Sequence, residues 1–420
     1  MNDHRVQQRR AIEALRSGVP NRDAVRALGS AQAAIEQRFQ RKLDAAREGD
    51  MAGGLLVGGG FGSGKSHLLE ALHHRALEEN FVASKIVISK ETPLHDPVKV
   101  YRAAINSAVV PGRRGSAMRE IAFALDAGSS RYAELRRWTE SPESRLNERF
   151  AATLFLFENT RHRDLELAYR IMDFWSGDPM GVAELKRMLK ESGEPATWAL
   201  PKVTVREISL QRFRFVARLM VAAGYAGWVL LFDEVELIGR YSLLQRARSY
   251  AEIARWVAGF DSEPLPYLAS VLAITDDFAA AVLYDPVKND FEKVPNRLRA
   301  RQNPADDLAA ARAEQGMRII ERELLPLERP DRRALEETYR TLRQIHAEAY
   351  GWHPPELRRG DGVASRSMRE HVRSWINEWD LRRLDPGYSP DIEVEHLESD
   401  YRESPELETP PEGEVGEGEE

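Results

Sequence analysis

Cysteine is absent from the 420 residues, which excludes disulfides, thiolate zinc sites, iron–sulfur clusters and cysteine nucleophiles. The absence fits a reducing compartment, and a cytoplasmic location is expected. Long apolar runs are missing as well. The longest, Leu219 to Phe232, covers 14 residues and is interrupted by Gly-Tyr-Ala-Gly, against the roughly 20 needed to span a bilayer, so no membrane partner is expected. Met1 to Arg10 is polar and basic with no apolar segment behind it, and no secretory signal is expected. No internal repeat is found. There is no Asn-Lys-x-Asp guanine-reading motif, which argues against a guanine-nucleotide site, and no His-Glu-x-x-His spacing among the ten histidines, which leaves a zinc hydrolase without support.

What is present is an ordinary globular composition, 42% apolar and 30% charged, in a chain long enough for two or three domains with real cores. The net charge of −7 is unevenly placed. Residues 391–420 hold thirteen Asp and Glu against the single Arg402, leaving a mild positive excess on the rest. With five prolines beyond Asp385, the stretch 386–420 reads as an acidic, solvated, disordered tail.

Apolar spacing predicts two helices in residues 1–50, one carrying Ile12 and Leu15 and one carrying Val25 and Leu28, broken at Gly18-Val19-Pro20-Asn21. Then follow a short strand at Leu55–Val57, a glycine-rich loop, a helix from Ser66, and a second strand at Ser84–Ile88. From about 96 to 201 the pattern is helical throughout. It returns to sheet with the strands Trp228–Phe232 and Leu268–Ile274, apolar on both faces as interior parallel strands are. Residues 317–327 read as a last strand or a helix, and helices over 331–350 and 365–381 close the folded part. The organisation expected is an N-terminal helical segment (1–50), an α/β core with parallel sheet (51–330) carrying a large helical insertion, a C-terminal helical lid (331–385) and the tail.

Gly59-Gly60-Phe61-Gly62-Ser63-Gly64-Lys65-Ser66 satisfies the phosphate-loop pattern in its required strand–loop–helix context. Glycines let successive amides point at one phosphate, and the helix N-terminus adds partial positive charge. Lys65 is expected to bridge β- and γ-phosphates, and Ser66 to place its hydroxyl on Mg²⁺. His67, next in the chain, is grouped with this loop, although its own position reads as helix surface. Five apolar residues ending in Asp233-Glu234 form a Walker B strand end, with Asp233 in the Mg²⁺ shell and Glu234 activating a water. Thr275, followed by Asp276 and Asp277, either faces the γ-phosphate and attacking water or caps the next helix.

Arg366 and Arg369, one turn apart, face the nucleotide if the last helix folds over as a lid. Arg297, Arg299 and Arg301 sit where a trans-acting finger would project into a neighbour of a homo-oligomer. For any one of fifty arginines, a solvated face is the plainer reading. The same holds for Arg113-Arg114, Arg131 to Arg137 and Arg161-His162-Arg163, which, with Tyr132 and Trp138 nearby, are the candidates for contact with duplex DNA.

This order of motifs resembles the AAA+ branch of P-loop ATPases. Arg9 to Arg22 together with Gly58 to His67 resemble the ATP-binding proteins of BREX phage-defence systems, the BrxD type, and the likeness extends to about Asp385 through Ser365-Arg366-Ser367-Met368-Arg369. The resemblance implies a Mg-ATP-hydrolysing component that works with other phage-defence proteins and on DNA, with ATP contacts on Gly59, Gly64, Lys65 and Ser66, hydrolysis on Asp233 and Glu234, a lid arginine at 366 or 369, and Val19 to Arg22 against adenine. Two other readings share the motifs: a DNA-loading ATPase of origin-recognition or transposition-helper type, and a non-hydrolysing ATP-sensing scaffold.

Overall fold

The structure is a computed structural model of the chain, and it describes residues 2–18, 22–193, 198–260, 263–357, 368–388 and 401–407. Three helices open the chain: α1 (Asn2–Ser17), α2 (Arg22–Leu28) and α3 (Ala33–Arg47). Strand β1 (Gly54–Gly58) leads through the glycine loop into α4 (Lys65–Glu78) and β2 (Val82–Val87). The insertion contributes α5 (Pro97–Asn106), α6 (Ala117–Ala124), α7 (Ser130–Glu140), α8 (Arg149–Thr160), α9 (Leu165–Ser176) and α10 (Val182–Glu191). After α11 (Val205–Ala222) come β3 (Trp228–Asp233), α12 (Leu243–Val257), β4 (Leu268–Ile274), α13 (Asp290–Arg299), α14 (Pro304–Arg322), the two-residue β5 (Leu325–Pro326), α15 (Arg332–Tyr350) and α16 (Met368–Leu384). The stretch 317–327 thus divides between the end of α14 and the short β5.

The five strands pair in parallel, in the order β2-β3-β4-β1-β5. The side-chain period of two sorts each interior strand onto two cores. Leu55, Val57, Val229, Leu231, Ala269, Val271 and Ala273 face α3 and α4. Their alternates Leu56, Trp228, Leu230, Phe232, Leu268, Leu272 and Ile274 face the insertion helices, α11 and α12. The insertion is therefore no appendage: Tyr101 of α5 and Phe213 of α11 meet Trp228 of β3 edge-on and stacked, at 6.2 and 5.6 Å between centroids. Burying each such aromatic stabilises by roughly 1.5–3 kcal/mol. The buried indole N–H of Trp228 donates to Ser84 Oγ at 2.9 Å, so no polar atom of the ring is left unpaired.

A third core joins Ile12 of α1 to Tyr339, Leu342 and Ile345 of α15 and Val372, Ile376 and Trp379 of α16. The N-terminal segment, expected as one unit, is split by this packing. Its first helix belongs with the two C-terminal helices, whereas α3 belongs to the sheet through Phe39 and Leu43. The tail differs from expectation too. Residues 401–407 fold against the main core, with Tyr401 and Leu407 packed on it and Glu403 accepting from Arg246 Nη1 at 2.6 Å. A disordered tail running from 386 does not describe this segment, because an aromatic, an aliphatic and a paired carboxylate anchor it within seven residues.

Candidate nucleotide site

The interior strands end along one edge of the sheet, and β4 lies between β1 and β3. That placement brings the glycine loop, Thr275 and Asp233-Glu234 to neighbouring strand ends, although Gly59 and Thr275 are 216 positions apart in sequence. The Gly59 amide donates to the Ile274 carbonyl at 3.2 Å, tying the loop to the end of β4. Gly62 and Gly64 take left-handed φ values of 72° and 104°, which side chains with a Cβ adopt only under strain, and Gly64 leads directly into α4. Ser63 Oγ is buried against Gly59 with no hydrogen-bond partner. Phe61 stands exposed at the loop's rim, with the Lys65 ammonium 5.5 Å from its ring centroid.

Lys65 is 7% exposed. Its ammonium donates to the Gly59 carbonyl at 2.7 Å and lies 3.3 Å from Glu236 Oε1. Glu236 escaped the sequence reading. The only signal available was a second acid three residues after Asp233, on the 3₁₀ turn Val235–Arg240. Burial pushes its carboxyl up to about 7, opposed by Lys65 and reinforced by Glu234. A proton bound more tightly in the folded chain than in the unfolded one, where a glutamate titrates near 4.3, stabilises the fold at low pH, and that contribution is lost as pH rises through about 7. Glu236→Gln is accordingly expected to flatten the fall in stability between about pH 4.5 and 7.5, read from urea unfolding of the nucleotide-free chain across that range. An unchanged slope would mean that Glu236 does not titrate there.

Asp233 ends β3, and its Oδ1 accepts from the Glu234 amide at 3.0 Å. Glu234 sits at φ 59°, ψ 32°, a left-handed conformation uncommon outside glycine and frequent at functional turns. Partial desolvation and the neighbouring Asp233 raise its pKa, while Lys65 and Arg369 lower it. Arg369, in the first turn of α16, thus places its charge within reach of Glu234. Its side chain also lies against Gly18 at the end of α1. Arg366 and Val19 to Asn21 lie outside the described residues, as does the side chain of Arg22.

The imidazole of His67, expected at the phosphate loop, is turned instead to the Gly29 carbonyl at 2.6 Å. Burial holds its pKa down, opposed by that carbonyl, and it fastens α4 to the loop after α2. Ser66 follows Lys65 in the first turn of α4, half-buried. Thr275 does not cap the following turn, where no side-chain cap is made. Its hydroxyl bonds the phenol of Tyr401.

Several of the insertion's candidate DNA groups make contacts within the chain, while Arg114, Arg131 and Arg163 are exposed. Tyr132 is buried, Trp138 carries the Arg218 guanidinium 4.4 Å from its ring centroid, and Arg113, Arg136 and Arg161 bond Glu120, Glu140 with Glu158, and the Leu125 carbonyl. Arg299 and Arg301 pair with Glu314 and Asp306 at 2.7 and 3.7 Å, whereas Arg297 is exposed on α13. Glu70, His73 and His74 bring ligand-type atoms within 4.8 Å of one another on α4, but the Lys85 ammonium already bonds the Glu70 carboxylate. Among the described residues no helix is long and apolar enough to cross a membrane.

A glycine cradle at a helix N-terminus, a buried lysine beside it and two carboxylates at the end of a parallel strand one removed in the sheet suit one ligand class, a nucleotide polyphosphate. No curated protein and no solved structure matches the chain. The family model for the BREX system ATP-binding protein BrxC/D matches residues 4–374, and the chain belongs to that family.

Proposed function

We propose that the chain hydrolyses Mg-ATP and couples the cycle to contacts with other BREX components or with duplex DNA. The observation that carries this reading is the convergence of Lys65, Asp233 and Glu234 on one sheet edge, with the charges of Lys65 and Arg369 acting on Glu234. In this reading loop amides between Gly60 and Gly64 hold the phosphates. Lys65 leaves Glu236 for the β- and γ-phosphates. Ser66 and Asp233 hold Mg²⁺, which when bound neutralises charge on the phosphates. Glu234 accepts the proton of the attacking water, its raised pKa improving it as a base. Ser63, with its unpartnered buried hydroxyl, is a further donor suited to a phosphate oxygen. The helices α1, α15 and α16, which share a core, act together as an AAA+-type lid that brings Arg369 over the site.

The test is phosphate release from Mg-ATP by the full chain, alone and with duplex DNA, over a wide range of protein concentration, with Lys65→Ala as the blank. Release above the blank by at least tenfold is expected. A rise in activity per chain with concentration supports a homo-oligomer with an arginine such as Arg297 acting in trans. ATP binding with no release in any condition would replace this reading with that of a nucleotide-sensing scaffold.

A further inference from the structure

Residues 401–407 converge on the two loops that flank the proposed site. The phenol of Tyr401 donates to Asp277 Oδ1 at 2.9 Å and also bonds Thr275 Oγ1. Its ring packs edge-on against Phe278, with centroids 5.7 Å apart. It also covers Gly239, where a Cβ would stand 2.9 Å from the ring, so glycine is what leaves room for it. The Ser404 amide donates to the Arg240 carbonyl at 3.1 Å, Glu403 accepts from Arg246 at 2.6 Å, and Leu407 closes the segment on the apolar core. The segment thus bridges the end of β4 to the turn Val235–Arg240 that follows Asp233-Glu234.

Proton accounting gives this contact a direction. A carboxylate only accepts, so the Tyr401–Asp277 bond uses the single phenolic proton. The Thr275–Tyr401 bond must then use the single proton of Thr275, which is 1% exposed. With that proton committed, Thr275 has none to offer a phosphate oxygen, which also only accepts. We infer that Tyr401–Leu407 is an autoinhibitory clasp: it withholds Thr275 from the γ-phosphate, and Mg-ATP or a partner that takes up the acidic tail releases it. This inference rests on the ATPase reading for its effect on rate, and on the contacts alone for the docking itself.

Two measurements on the full chain test it. Tyr401→Phe keeps the ring on Phe278 and removes only the hydroxyl. It is expected to lower KM for ATP roughly 2- to 10-fold, the population shift that one neutral hydrogen bond supports, with kcat at saturating Mg-ATP unchanged; truncation after residue 400 is expected to do at least as much. Separately, amide hydrogen exchange over 401–407 should be slow in the nucleotide-free chain relative to a free peptide of the same sequence. It should become fast in Glu234→Gln chain saturated with Mg-ATP, which holds the nucleotide uncleaved. Exchange as fast as the free peptide without nucleotide overturns the clasp, as does a KM for ATP that stays level or rises in Tyr401→Phe. If no variant releases phosphate, the ATPase reading fails, and the exchange comparison with and without Mg-ATP still decides whether nucleotide displaces the segment.

Discussion

Glu234→Gln is expected to cut phosphate release by about 10²- to 10⁴-fold, the range by which a positioned general base accelerates a proton transfer, while ATP affinity stays within a few-fold of the parent chain. The argument is one of charge and place. Glu234 follows the last residue of β3 in a left-handed conformation that turns it away from the strand direction, and its carboxylate feels the like charge of Asp233 and the opposite charges of Lys65 and Arg369. The amide of glutamine preserves size and backbone demands but has no lone-pair basicity to take a proton from water. Phosphate release and equilibrium ATP titration on the same preparations separate the two effects. A parallel loss of binding would mean that Glu234 contributes to the ground state and is not a base.

The second large effect is on stability. Asp290→Ala should cost about 3–5 kcal/mol, the usual result of removing one member of a buried ion pair. Asp290 is fully buried at the start of α13 and accepts both arms of the Arg246 guanidinium, at 2.6 and 2.9 Å, together with the Tyr250 hydroxyl at 2.6 Å. Alanine leaves a buried guanidinium and a buried phenol without their acceptor, and the same guanidinium also holds Glu403 of the clasp. Urea unfolding followed by tryptophan fluorescence should register the loss, and Asp290→Asn, which keeps an acceptor, should recover part of it. A change below about 1 kcal/mol would mean that Arg246 finds water or another acceptor, and that the pair orients α13 without stabilising it.

These two sites differ in how much of them a sequence carries. Gly59 to Ser66 and Asp233-Glu234 are legible because each motif is local: a tight glycine turn before a helix, and an apolar strand ending in acids, require those residue types whatever surrounds them. The strands at 228–233 and 268–274 are legible for the same reason, being apolar at every step where interior parallel strands must be. The alternation within them could not reveal which helices cover which face, since any apolar helix satisfies the pattern.

What belonged to tertiary structure alone are the contacts between residues distant in the chain. Nothing near Lys65 announces Glu236 as its partner 171 positions later, and the depth that raises that carboxyl's pKa exists only once β3 and α4 are packed. His67 has helix-surface spacing and becomes an anchor for Gly29 only because the N-terminal helices return over α4. Composition makes 386–420 look uniformly solvated, since average charge outweighs one tyrosine and one leucine, yet Tyr401 finds a glycine-sized gap at Gly239 and a polar pair at Thr275 and Asp277. The sequence by itself determined the phosphate loop, the acidic strand end and the parallel core, because hydrophobic period and turn chemistry are short-range. Only the tertiary structure decided which charges meet, which helices share the α1–α15–α16 core and where the tail docks, because burial and complementarity are properties of surfaces brought together by the whole chain.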